Sequence, residues 1–179
     1  MKASNRKVHK FIGLVVSVQL LLWTISGIFF SFNKIDQIRG ENYLKSVEQI
    51  TLEKISKISF DEAKEIVIEK TFLKPISVEE ITEEKRGSEF RGRNLPLYKL
   101  SSLDSSDKEV NVYIDPSLGK IVAIRTFEWR LWDLMWGLHI MDWRDRDDIN
   151  NLLLKIFSIL ALISSITGII LFFRPKSKA

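Results

Sequence analysis

The chain contains no cysteine among its 179 residues. That excludes disulfides, iron–sulfur clusters, thiol redox chemistry, covalently attached c-type haem and a cysteine-linked lipid anchor. No glycine-rich dinucleotide or phosphate loop occurs, so no nicotinamide, flavin or nucleotide site is visible. Neither a His–carboxylate metal spacing nor a Ser-His-Asp set presents itself. Histidine is scarce, with His9 and His139 the only two. Acid is missing from both ends: all 23 Asp and Glu lie within 34–150, against 19 Lys and Arg there, leaving that segment at −4. The basic pI of 9.2 therefore comes from the flanks and gives no reason to expect a nucleic-acid partner.

Two uncharged apolar runs, Phe11–Phe32 and Ile156–Phe173, stand at opposite ends of the chain. A helix rises about 1.5 Å per residue and a bilayer core is about 30 Å thick, so about 20 apolar residues cross it. The first run is long enough alone. The second becomes so when Leu152–Leu154 join it and Lys155 snorkels to the headgroups. Lys2, Arg6, Lys7 and Lys10 precede the first run, and Arg174, Lys176 and Lys178 follow the second. The positive-inside rule then predicts two cytoplasmic termini and a domain that faces outward. The first run reads as an uncleaved anchor: it is longer than a signal-peptide core, and its exit, Ile28-Phe29-Phe30-Ser31-Phe32, offers no small-x-small cleavage site.

Between the runs, Asn33–Lys57 reads as a connector with a helical or extended lead-in. Ser59-Phe60-Asp61-Glu62 is a capping box, predicting a helix that buries Ala63, Ile66 and Val67 and that Pro75 ends. The period then changes to two. Ile76–Glu84 and Leu97–Leu100 read as strands separated by an exposed loop over Arg86–Asn94, and Val110–Ile124 as a hairpin turning at Asp115-Pro116-Ser117-Leu118-Gly119. An outward domain of this size can hold itself together by its core. Glu79-Glu80, Glu83-Glu84 and Asp145–Asp148 read as solvated faces.

Over Thr126–Trp143 the spacing is helical again. Trp129, Trp132, Trp136, His139 and Trp143 recur at intervals of 3, 4, 3 and 4, which places them on one helical face. Tryptophan favours the membrane–water interface, so this helix is expected to lie on or dip into the outer leaflet.

Taken in order, these segments resemble PepSY-associated transmembrane proteins. His9-Lys10-Phe11-Ile12-Gly13-Leu14, Ser26-Gly27 and Ile35-Asp36 look like that family's first helix. Asp61-Glu62-Ala63 and Tyr113–Val122 resemble the helix start and hairpin of a PepSY domain, and Trp136-Gly137-Leu138-His139 with Thr167-Gly168 resembles its Leu-His helix and terminal Thr-Gly. The resemblance implies an α+β membrane protein of the bacterial inner membrane. Its expected parts are a basic flank over 1–10, a span over 11–32 and a PepSY-like domain, periplasmic or extracellular, over 33–126. A Trp-rich interfacial helix and turn over 127–148, a second span over 149–173 and a basic tail over 174–179 complete it.

Larger members of the family include ferric-siderophore reductases that hold b-type haem between histidines. This chain departs from them in having two spans rather than four and only two histidines. The resemblance nonetheless points to His139 and His9 as axial ligands, with Trp136 and Trp132 against the porphyrin. The plain reading of the same residues is a tryptophan anchor and polar flanks. The two histidines lie at opposite membrane faces, about 30–35 Å apart along a helix, so one chain cannot clamp one haem with both. A bis-histidine site needs a homodimer or another chain. The small-residue spacings Gly13-x-x-x-Ser17, Gly27-x-x-x-Ser31 and Ser164-x-x-x-Gly168 permit close helix contact within the chain or between copies. Three functions stay open. One is a haem-binding component tied to iron uptake or electron transfer, in the manner of a ferric-reductase subunit rather than an enzyme alone. The second is a tethered PepSY module that binds or inhibits an envelope peptidase or other partner. The third is an accessory subunit of a larger membrane complex.

Overall fold

The computed structural model describes residues 3–33, 38–45 and 57–172. In chain order the elements are α1 (Ala3–Phe32), a 3₁₀ turn (Glu41–Tyr43), α2 (Phe60–Lys70), β1 (Lys74–Ile81), β2 (Leu97–Leu103), β3 (Glu109–Asp115), β4 (Lys120–Arg125), α3 (Phe127–Ile140) and α4 (Leu152–Phe172). They fall into two compact units: Phe30–Leu134, and Met1–Phe29 with Met135–Ala179. Ile35-Asp36, the apolar positions Val47, Ile50, Leu52 and Ile55, and the basic tail lie outside the described residues.

In the first of these units the alternation of apolar side chains dictates an antiparallel meander in the order β1-β2-β3-β4. Val78, Leu100, Val112 and Ile124 stand opposite one another across all four strands. On that face α2 packs through Ala63 and Val67, both fully buried. The capping box is formed in both directions: Ser59 Oγ accepts the Glu62 N–H at 3.2 Å, and Glu62 Oε2 accepts the Ser59 N–H at 2.6 Å. Ser59→Ala is accordingly expected to cost about 1 kcal/mol and to speed amide exchange in the first turn of α2, which hydrogen-exchange mass spectrometry of the full chain in micelles would show.

Pro75 does not end α2. The helix stops at Thr71, where backbone and hydroxyl both return to the Val67 carbonyl. Pro75 sits in edge strand β1 at a register shift, a position where its missing N–H breaks no ladder.

The other face of the sheet carries Leu97, Tyr113 and Ala123, covered by Phe90 and Leu95 from the loop between β1 and β2. That loop was expected to be exposed. Instead Glu89 is half-buried and acts as a hub. It accepts Arg130 Nε, Asn111 Nδ2 at 2.9 Å and the Tyr113 hydroxyl at 3.1 Å, and its carbonyl accepts Arg125 Nε at 2.9 Å. Arg91 pairs with Asp133, which is 1 % exposed.

In the second unit α1 and α4 hold stretches, His9–Phe32 and Leu152–Ile170, long and apolar enough to cross a membrane. Their outward surfaces are apolar, with Phe11, Leu14, Val18 and Leu21 exposed on α1 and Ile159, Leu162, Ile166 and Ile169 on α4.

Candidate functional site

The two spans run antiparallel and meet at Gly13–Ser164 and His9–Thr167. A methyl placed on Gly13 would stand 4.0 Å from Ser164 Oγ, so this part of the predicted small-residue spacing joins the chain's own helices. Nothing described lies within 4 Å of such a methyl on Gly27 or Gly168. The contacts Gly13–Ser164 and His9–Thr167 set a register that brings the start of α4 level with about Thr24 of α1. The 21 residues of α4 are about 31 Å long, one bilayer core.

Each histidine meets a hydroxyl near one end of this paired stretch. His9 Nδ1 lies 2.9 Å from Thr167 Oγ1, and His139 Nδ1 lies 2.8 Å from Ser26 Oγ. A hydroxyl has a single proton to donate. Thr167 Oγ1 directs its proton to the Ile163 carbonyl at 2.7 Å, and Ser26 Oγ directs its own to the Leu22 carbonyl at 2.8 Å. A hydroxyl bonded in this way accepts from imidazole. With the hydroxyl proton on the carbonyl, imidazole donates from Nδ1 and carries its lone pair on Nε2, the arrangement in which a partner on Nδ1–H orients a metal-binding histidine.

α3 reaches α1 through its last turn. Trp23 Nε1 donates to the His139 carbonyl at 2.7 Å and Gln19 Nε2 to the Leu138 carbonyl at 3.4 Å. The Trp136 ring lies nearly parallel to His139, at 11° and 6.3 Å between centroids. Gly137 is needed where it stands. A Cβ there would come within 2.9 Å of the Arg146 side chain and 3.0 Å of the Asp142 carbonyl.

The tryptophan stripe is not one surface. α3 ends at Ile140 because Met141 takes a left-handed conformation and the Asp142 N–H returns to the Gly137 carbonyl at 3.0 Å, a Schellman closure. Trp143 is therefore off the helix and exposed. Trp129 is 8 % exposed, beneath Arg125 at 4.2 Å and Arg91 at 5.7 Å, and so is no interfacial anchor. Trp132 meets Phe30 at 5.3 Å, in the unit that does not contain His139. Of the four residues expected at a cofactor, the structure unites His139 and Trp136. His9 is separate: it and Ser26 are seventeen residues apart on α1, about 25 Å. That replaces the expected 30–35 Å and leaves unchanged the conclusion that one chain cannot place both histidines on one iron.

Sequence reading missed Trp23 and Gln19, which a polar or amphipathic residue inside an apolar span could have flagged. It also missed Asn151, which caps α4 by accepting the Leu154 N–H at 2.8 Å and donates to the Ile140 carbonyl at 2.9 Å. An Asn directly before an apolar run is the ordinary signal for such a cap. The acidic turn at 145–148 is organised by Asp142, whose carboxylate accepts the N–H groups of Asp145, Asp147 and Asp148, each at 3.1 Å. Burial pushes the Asp142 carboxyl up, but these bonds outweigh it and hold it below the usual range.

Fold and site together define a chain with two helices long and apolar enough to cross a membrane and a helix-on-sheet unit in the segment between them. A family model described as the PepSY-associated TM region matches residues 6–179, and the chain belongs to that family. No curated protein and no solved structure matches the chain.

Proposed function

We propose that this protein is a non-catalytic component of the bacterial inner membrane, with both termini cytoplasmic and a PepSY-like domain outside. In this reading a b-type haem would be held by His139 or by His9, with a second chain completing each site. The supporting observation is a shared pairing: at both histidines a hydroxyl from the facing helix stands within hydrogen-bond distance of Nδ1, the kind of contact that orients a metal-binding imidazole. Trp136 and Trp23 flank His139, and Trp23 holds its backbone carbonyl. With one imidazole at each level, the second ligand comes from another copy of this chain or from a membrane partner. Haem, when bound, supplies one-electron transfer, which suits a role in iron uptake or electron transfer. The chain's own residues orient the two imidazoles.

The test is the absorption spectrum of the detergent-purified full chain expressed with ample haem, oxidised and then dithionite-reduced, beside His139→Ala. The expected result is a Soret band with sharp reduced α and β bands, diminished by about half or more in the variant. A featureless spectrum from folded protein overturns the haem reading and leaves a tethered binding domain.

A further inference from the structure

The sheet-bearing unit contains a cleft of about 540 Å³ along the side of β4 that pairs with no described strand, within the range of small-ligand sites. Its charge is one-sided. Arg39, Arg93 and Arg125 line it against a single carboxylate, Glu41, with Trp129 and Trp132 as its aromatic wall. Arg125 is 9 % exposed. Its described hydrogen bonds go to neutral carbonyls, Glu89 O at 2.9 Å and Ile124 O at 3.1 Å, and its plane lies over Trp129. Glu89, the nearest carboxylate of its network, is already taken by Arg130, Asn111 and Tyr113. Arg39 and Arg93 are exposed, with no ion pair among the described residues.

A buried guanidinium hydrogen-bonded only to neutral carbonyls is costly, and its planar fork matches the oxygens of an anion. We propose that this cleft binds a phosphate group carried on an apolar body, the group lying between Arg93, Arg39 and Arg125 and the body against the tryptophans. Burial first, and then the facing charges of Arg93 and Arg91, lower the Arg125 pKa to about 10. Glu89 and Tyr113 oppose this shift without cancelling it, and a bound anion would offset part of the burial and of the Arg93 charge. β4 itself is a poor template for an added strand, because its pairing with β3 shifts register between Tyr113 and Ile114 and such an irregularity blunts an edge. The chemistry therefore favours a compact anion over an extended peptide. The same group could arrive as the headgroup of an anionic phospholipid or on a soluble phosphate compound.

Both sources are tested on the full chain in maltoside micelles, reading tryptophan fluorescence and lipid adducts by native mass spectrometry. The probes are phosphatidylglycerol, with phosphatidylcholine as reference, and inorganic phosphate. The Arg39→Gln/Arg93→Gln double variant is exposed at both positions and should fold. It is expected to bind about tenfold more weakly, the loss of charge-assisted hydrogen bonds, while Glu41→Gln is expected to bind more tightly. Retention of phosphatidylglycerol without a response to phosphate identifies the lipid source. A response to phosphate, weakened in the double variant, identifies the soluble one. Binding of neither probe, or binding indifferent to the double variant, overturns the proposal.

Discussion

Glu89→Ala is expected to destabilise the sheet-bearing unit by about 3 kcal/mol. Its carboxylate is shared by Arg130 Nε, Asn111 Nδ2 and the Tyr113 hydroxyl, so truncation strands three donors, one of them charged. Burial, and after it the charge of Glu89, push the Tyr113 phenol up, which keeps its proton available for the bond. Burial also pushes Glu89 itself up, but the bonds from Arg130, Asn111 and Tyr113 outweigh it and leave the carboxyl below its usual value. A carboxyl with a depressed native pKa contributes stability that is complete above its unfolded value, about 4.3. That contribution is lost as pH falls through the lower native value. Wild-type protein should therefore lose protection in β2–β4 below about pH 4 and converge on Glu89→Gln, which has no such titration. Hydrogen exchange of the full chain in micelles measures both. Equal protection of wild type and Glu89→Ala at pH 7 would refute the hub.

Glu89 also shows where sequence reading stops. Strand alternation and the capping box made the helix-on-sheet face legible, because both are local patterns: Val110, Val112 and Ile114 alternate, and Ser59 and Glu62 are three residues apart. The two spans were legible from length and hydropathy alone. The opposite face of the sheet was not. Arg86–Asn94 is polar and glycine-containing, as an exposed loop is, and nothing local says that Glu89 meets Asn111, Tyr113 and Arg130. The tryptophan stripe failed for a related reason. A helical period shows that residues share a face, but Trp129 is buried under arginines and Trp136 lies by His139. The end of α3 at Ile140 rests on a left-handed Met141, where glycine would have been the readable signal. Ser26 and Thr167 stand in the Ser-Gly and Thr-Gly pairs that carry the family resemblance, but nothing local says that they meet His139 and His9.

Leu100→Ala is expected to cost about 3–4 kcal/mol, the transfer of a large buried side chain plus the cavity it leaves. Leu100 is fully buried, in the strand pair at the middle of the sheet, with Val78 and Val112 as its cross-strand neighbours and Ala63 and Val67 in the same cluster. A small domain is stable by only about 5–15 kcal/mol, so this single truncation should raise opening rates throughout β1–β4 and α2 by two orders of magnitude or more. The spanning helices provide an internal control, since amides in the other compact unit should keep their protection. Combination with Glu89→Ala adds a sharper test. Leu100 faces α2 beside Val112, whereas Glu89 bonds to Asn111 and Tyr113, whose side chains point to the opposite face by strand alternation. Two sites without a shared partner should add to within about 0.5 kcal/mol. A coupling well beyond that would mean that the polar hub and the apolar face are one cooperative element. The sheet would then be held by its polar side as much as by its core.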